Sequence, residues 1–408
     1  MKRRRAMTRS HPLAAMDAQL IVLVLALLLG LQPVTTDLYL PALPGLTQEL
    51  GASMPQAQLT LTALLLAFGV SQLIWGPVSD RFGRRPVLLV GMTAYVVASV
   101  GGALAASIDL LIVWRALQGA AMGAAVMCAR AIVRDLYAPA QGANVMSTAL
   151  SGLGMIACLS APVGGVLTAV FGWHATLLAV AGFGALCLVL IAIRFRETLH
   201  RPNPRALEAA TLARTWLQIV RNPTFLAFSA LTITSYSALF TFLASSSFVF
   251  LQVLGFTTTE YGLVMLSNSF IYLLGTFLCR RLLLRFGVRR SVAIAGALSV
   301  TGGCAMGALA LAGVHTAWAI MVPVSCFMLA HGIHNPCAQS GAVGPFPHAA
   351  GAASALNGFL SMTSAFATGQ WLGTHMDGTA TPLIVGMGVW TALIALTAWT
   401  LVARYGKT

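Results

Sequence analysis

Apolar runs of about 20 residues recur along the whole chain, and no other feature restricts its fold so strongly. A run of that length is what an α-helix needs to cross the hydrocarbon core of a bilayer. A membrane β-barrel would instead show alternating segments of about 10 residues, and the sequence has none. Of the 408 residues, 58% are hydrophobic and 8% are charged, whereas a soluble domain carries about 25% charge. The spacing predicts an all-α membrane protein with 12 transmembrane helices, over 19–41, 57–78, 87–106, 109–131, 145–169, 173–193, 225–247, 261–283, 291–312, 316–337, 351–373 and 381–403.

The net charge of +14 and pI near 10.3 do not point to nucleic acid. The basic residues form short clusters between apolar runs and are not gathered on one soluble domain. They lie in the N-terminal tail, the 2–3 loop, the end of span 4, the 6–7 connection, the 8–9 loop and the C-terminal tail. The opposite loops hold no Lys or Arg and carry Glu49, Asp109, Glu260 and Asp377. By the positive-inside rule both termini are cytoplasmic. The first apolar run follows a basic tail but continues past 20 residues without a clear cleavage site, so it reads as a retained span.

Residues 194–224, rich in Arg, Pro and Asn, form the one long polar connection. They divide the chain into a tail (1–18), a six-helix lobe (19–193), a cytoplasmic linker (194–224), a second six-helix lobe (225–403) and a short tail (404–408). Arg81-Phe82-Gly83-Arg84-Arg85 after span 2 is echoed by Arg285-Phe286-Gly287-Val288-Arg289-Arg290 after span 8. Paired halves around a central site are a common transporter plan.

Of the 24 Lys and Arg residues, Arg115 alone lies inside an apolar run. Asp37 is the acid most deeply placed in one. A charged residue inside a span is costly and marks a functional site by default. Counted along the helices, both fall in the outer half of the membrane at similar depth, which allows an ion pair. Three readings stand. The pair couples a proton to a cationic ligand, or it is a permanent structural bridge, or Asp37 lies at the interface because Pro41 and Pro44 follow.

The strongest local pattern is Gly76-Pro77-Val78-Ser79-Asp80-Arg81-Phe82-Gly83-Arg84-Arg85-Pro86. Gly76 and Gly83 permit close approach and a tight turn. Asp80 can accept from Arg84 or Arg85, and Asp135 on the same membrane face can join them as a conformational latch. This pattern resembles the 2–3 loop signature of the major facilitator superfamily. Asp37-Leu38-Tyr39-Leu40-Pro41-Ala42-Leu43-Pro44, Arg115-Ala116-Leu117-Gln118-Gly119, the stretch from Arg130 to Tyr137, and the stretch from Pro347 to Ser354 narrow the resemblance. Together they are similar to the bicyclomycin/chloramphenicol-resistance (Bcr/CflA) branch of its drug:proton antiporters, over about residues 19–403. The resemblance implies that Asp37 and Arg115 are the coupling and binding residues.

In span 5, Gly154, Ala161, Pro162, Gly164 and Gly165 present small residues that let helices approach. They also resemble the superfamily's antiporter motif, with Ala161 where Gly is usual. Tyr39, Gln118 and Met122 in the first half, and Tyr236, Phe240, Asn268 and Tyr272 in the second, are candidate substrate contacts. Ordinary helix packing explains each more readily than ligand contact. His331 and His334 share a helix face but lack a third metal ligand. The seven cysteines, with no CxxC, read as small hydrophobes. No GxxxxGK[ST] motif or catalytic constellation occurs, so neither an enzyme nor a cofactor is expected.

The sequence therefore predicts a monomeric proton-driven exporter of small drug-like compounds in a bacterial inner membrane, working by alternating access. Its partners are the substrate, protons and the lipid bilayer. A metabolite carrier on the same fold remains open, as does a non-transporting membrane sensor or enzyme.

Overall fold

The structure is a computed structural model, and it describes residues 17–137, 139–314 and 316–406. The arginine-rich N-terminal tail and Lys407 lie outside the described residues. All regular structure among the described residues is helical.

The helices run in the order α1 (Ala18–Asp37), α2 (Leu43–Glu49), α3 (Met54–Phe82), α4 (Arg84–Ala103), α5 (Ile108–Leu136), α6 (Pro139–Phe171), α7 (Trp173–Arg194), α8 (Ala209–Val220), α9 (Pro223–Phe248), α10 (Thr258–Leu311), α11 (Ala317–Val343), α12 (Ala350–His375) and α13 (Thr381–Thr397). Their starts are chemically marked. Ser53 and Gln56 cap each other at α3, with the Ser53 amide 3.0 Å from Gln56 Oε1. Thr257 and Glu260 do the same at α10. Asn222 Oδ1 accepts from the Thr224 and Phe225 amides just before the Pro-led start of α9. Such caps satisfy amides that have no helical partner.

Three elements differ from a plain reading of the apolar runs. The first span does not end near Pro41. A 3-10 turn (Leu40–Ala42) joins α1 to α2, and helix continues to Glu49. Pro41 and Pro44 each sit at the start of a helical piece, where a missing N–H costs nothing. Asp37 thus lies within a continuous apolar segment, Ala18–Glu49, long enough to cross a membrane.

Second, α10 runs for 54 residues, about 80 Å if straight and far more than a bilayer. Gly287 breaks it with φ 71° and ψ 176°, a conformation glycine alone enters freely. The two halves are the expected spans 8 and 9. Third, α12 is 26 residues long but too polar to stand out by apolarity, since Asn357, Ser361, Ser364, Thr368 and Gln370 punctuate it. Among the described residues, ten helices are long and apolar enough to cross a membrane. Splitting α10 and adding α12 gives 12 spans in two six-helix lobes.

The lobes meet along two helix pairs, α3 with α12 and α6 with α10. Near the start of α3, Gln58 Nε2 donates to the Ala244 carbonyl at 2.8 Å and approaches Met376 Sδ at 3.4 Å. Deeper, Gln370 Nε2 donates to Thr62 Oγ1 at 3.2 Å. At the opposite ends of these helices Arg130 Nη1 on α5 donates to Ser354 Oγ on α12. The linker is not featureless: α8 packs its Ile219 face against the bundle, an element the sequence reading left as connection.

Candidate functional site

Arg115 sits two turns into α5 and is 1% exposed. Its guanidinium is held without any carboxylate. Nε donates to the Thr60 carbonyl at 3.2 Å, Nη1 to Gln118 Oε1 at 2.7 Å, and Nη2 to the Thr35 carbonyl at 3.1 Å. The Tyr39 ring lies beneath it, with the centroid 4.2 Å from Cζ. A second tier supports these acceptors. Gln118 Nε2 donates to Ser99 Oγ at 2.6 Å, Tyr39 Oη to Thr60 Oγ1 at 2.9 Å, and the Thr35 and Tyr95 hydroxyls lie 2.5 Å apart. One arginine therefore ties α1, α3, α4 and α5 together. Thr35 supplies a carbonyl from the last turn of α1, where helical partners run out.

Asp37, two residues after Thr35, goes elsewhere. The expected ion pair with Arg115 does not form. Among the described residues no cation lies within ion-pair distance of Asp37. Its half-buried carboxylate accepts one hydrogen bond, from Thr36 Oγ1 at 2.7 Å. The tyrosines in its electrostatic reach are Tyr236 of α9 and Tyr261 of α10, so it faces the second lobe. The reason is angular. Successive helical residues turn by about 100°. With Thr35 and Tyr39 aimed at Arg115, Asp37 projects from the other side of the helix. Equal depth does not mean equal azimuth.

The other candidates separate in the same way. Gln118 joins Arg115, as its spacing on α5 implies. Tyr39 belongs to the Arg115 cage and not to a surface between the lobes. Met122 is fully buried in packing. Across the lobes, Tyr236 Oη accepts from Gln32 Nε2 of α1 at 3.3 Å. Phe240 is buried beside Gly369 of α12. Asn268 turns back on its own helix, donating to the Val264 carbonyl at 3.1 Å. Tyr272 Oη accepts from Asn335 Nδ2 at 3.1 Å and its ring packs on His331. Gln32 was not singled out from sequence, although it lies one turn before Thr36 on the Asp37 side of α1.

The charge cluster of the 2–3 loop forms, with a changed membership. Arg84 is 1% exposed and bridges Asp80 at 2.7 Å and Asp135 at 2.9 Å. It also donates to Ser79 Oγ at 2.9 Å. Arg134 reaches Asp80 at 3.3 Å. Arg85 takes no part: its Nη2 donates to the Ala192 carbonyl at 3.0 Å. Arg81 is exposed against the Phe82 ring.

Glu197, missed in the sequence, is central. Its oxygens accept from the Arg84 and Arg85 amides at 2.9 and 3.0 Å, and also from the Thr198 and Leu199 amides. A carboxylate there satisfies the open amides of the α4 N-terminus and complements its dipole. Gly83 has φ 102°, and a Cβ there would sit 2.5 Å from Glu197 Oε2. The turn thus needs glycine twice over. Gly76 does not: it lies within α3, and a Cβ would meet only Met127 Cε at 3.4 Å. The clue to Glu197 was its isolation as an acid among the arginines at 194, 196 and 201.

The span-5 motif lies at the lobe boundary. A Cβ on Gly164 would strike the Leu38 carbonyl, and one on Gly165 the Thr258 carbonyl of α10. Gly262 of α10 comes close enough that its Cβ would lie 2.9 Å from Pro162 Cα. Ala161 is buried beside it, and Gly154 faces Leu273. The small residues are needed because two backbones pass here with no room for side chains.

His331 bonds Ser235 Oγ through Nδ1 at 2.8 Å and His334 bonds Ser299 Oγ through Nε2 at 3.3 Å. Among the described residues no cluster of three metal-ligating side chains occurs.

The comparisons with known proteins agree with this architecture. A sequence profile for the Major Facilitator Superfamily matches residues 25–370. The chain is 27% identical to the bicyclomycin resistance protein homolog of Haemophilus influenzae, over 94% of this chain and 96% of the relative. It is 30% identical to multidrug resistance protein D of Escherichia coli K12, over 83% and 85%. Among solved structures, a D-xylose-proton symporter superposes with a TM-score of 0.74 at 18% identity, covering 96% of this chain and 99% of that one. That likeness concerns the fold alone. With the superfamily profile spanning most of the sequence and both lobes in place, the chain belongs to the Major Facilitator Superfamily, in its bicyclomycin/chloramphenicol-resistance branch.

Proposed function

We propose that this protein is a proton-driven antiporter that exports small amphipathic drug-like compounds from a bacterial cytoplasm across the inner membrane, with both termini inside. The drug-resistance names of its relatives support the substrate class. The observation that carries the mechanism is Asp37. It is a carboxylate inside a span, facing the opposite lobe and lacking a basic partner. An acid so placed needs a counter-charge. A proton supplies one and a cationic group on a ligand supplies another, and the two exclude each other. Exclusion of this kind suffices for antiport. Tyr236, Gln32 and Phe240 are positioned to line the ligand's path.

Arg115 acts differently in this reading. It fixes the inner edge of α1 and so holds Asp37 at a set angle. The Arg84 cluster, with Glu197 and Asp135, and the Arg130–Ser354 contact are the cytoplasmic fastenings. The close packing of α6 on α10 closes the outer side. Alternating access requires these two sets to part in turn.

Everted membrane vesicles test the proposal. With an acidified lumen, they should accumulate a transported compound, and a protonophore should abolish the uptake. A screen of drugs by thermal shift at two pH values selects the compound. Uptake that persists after the proton gradient is collapsed would refute proton coupling.

A further inference from the structure

The two halves of the chain balance their cytoplasmic arginines in opposite ways. In the first lobe Arg84 and Arg134 are neutralised by Asp80 and Asp135, and Glu197 caps α4. The corresponding loop in the second lobe carries Arg280, Arg281, Arg285, Arg289 and Arg290, and Arg404 closes the last helix beside it. Beyond Glu208 the chain holds two acidic side chains, Glu260 and Asp377, both at the opposite ends of their helices. The 8–9 loop and the end of the last helix therefore carry no side-chain carboxylate of their own, and Glu208 at the head of α8 is paired with Arg205. Like charges brought this close destabilise one another unless an outside anion intervenes.

Two further observations locate that anion. Arg289 Nη2 donates to the Arg404 carbonyl at 3.1 Å, which draws the 8–9 loop onto the chain's last helical turn. Its Nε is shut away from solvent with no partner, as is that of Arg85 in the first lobe, but only in the second lobe is no carboxylate nearby in the loop to compensate the cluster. The surroundings are those of a lipid boundary. Leu284, between these arginines, is 91% exposed, which is unfavourable in water and natural against acyl chains. Trp399 is half exposed, with its Nε1 bonded to the Ala293 carbonyl at 3.1 Å. Such a tryptophan is typical of the headgroup level. Arg285 lies over Phe286, and Arg404 over Tyr405.

We infer that the 8–9 loop and the end of the last helix form a binding site for the phosphate of an anionic phospholipid, held by Arg289, Arg290 and Arg404. The lipid supplies externally the negative charge that Asp80, Asp135 and Glu197 supply in the first lobe.

The test uses the purified full-length protein, stripped of lipid in a neutral detergent, with its unfolding temperature as readout. Phosphatidylglycerol should raise the midpoint at concentrations where phosphatidylcholine and inorganic phosphate do not. The double variant Arg289→Gln/Arg290→Gln should need roughly thirtyfold more phosphatidylglycerol for the same effect, whereas Arg289→Lys/Arg290→Lys should stay close to the parent. Should the Gln variant fail to fold, added salt applied to the parent protein gives the same test, because it must weaken the phosphatidylglycerol effect selectively. An unchanged requirement in the Gln variant, insensitivity to salt, or an equal response to phosphatidylcholine would overturn the inference. An equal response to inorganic phosphate would mean that the site takes a free anion and not a lipid.

Discussion

Arg115 and Asp37 differ in one respect above all: every nitrogen of the arginine has an acceptor, whereas the aspartate has one neighbouring hydroxyl. Both sit in the first lobe at similar depth. Arg115 spends all three of its nitrogens on neutral acceptors from three helices and rests on an aromatic face. Asp37 has a neighbouring hydroxyl and no cation. A buried charge anchored at each of its nitrogens is held in place as part of the structure. One held by a single neighbouring hydroxyl is free to take a partner. We propose from this difference that Arg115 is architectural and that Asp37 exchanges partners.

Substitutions at the two residues should therefore behave differently. The largest effect belongs to Arg115→Ala. It strands two carbonyls and Gln118 in the lobe interior, and stability should fall by about 3–5 kcal/mol, seen as a lower unfolding midpoint and poor membrane yield. Arg115→Lys should recover only part of this, since an ammonium cannot reach acceptors arranged for a planar fork. A variant that folds normally with Ala at this position would break the comparison.

Next comes Asp80→Asn in the charge cluster of the 2–3 loop, the proposed fastening. It removes one partner of Arg84 and one of Arg134, but Asp80 is partly exposed and Asp135 remains. The expected cost is about 1 kcal/mol, read as a roughly fivefold shift in the inward-to-outward ratio by distance measurements between labelled lobes. No change in that ratio or in transport rate would mean that the cluster only orients the loop. The smallest effect is at Tyr236→Phe. The loss of a 3.3 Å contact with Gln32 should leave folding intact and change apparent drug affinity by a few-fold at most, about 1 kcal/mol or less.

Much of the architecture was written in the apolar runs, because the bilayer imposes one length on every helix. The exceptions have physical causes. α12 is polar because it is packed between α3 and α9, and the merged α10 is divided only by the backbone of Gly287. The loop motif brought Arg84, Asp80 and Asp135 into one group, and the three are in contact, but Arg85 was indistinguishable from Arg84 by charge. Glu197 is remote in sequence and acts on backbone amides, which carry no sequence signal. The same limit hid the cage around Arg115, since two of its three acceptors are carbonyls. Depth along α1 placed Asp37 and Arg115 at one level, and only the turn of the helix between Thr35 and Asp37 shows why they do not meet.

The most direct measurement of the central claim is drug-driven proton movement in proteoliposomes made with Asp37→Asn. The variant should reach the membrane and unfold within about 0.5 kcal/mol of the parent, as expected for a site outside the structural network. It should bind drug but release no proton when drug is added. Normal proton release in that variant would contradict the assignment of coupling to Asp37.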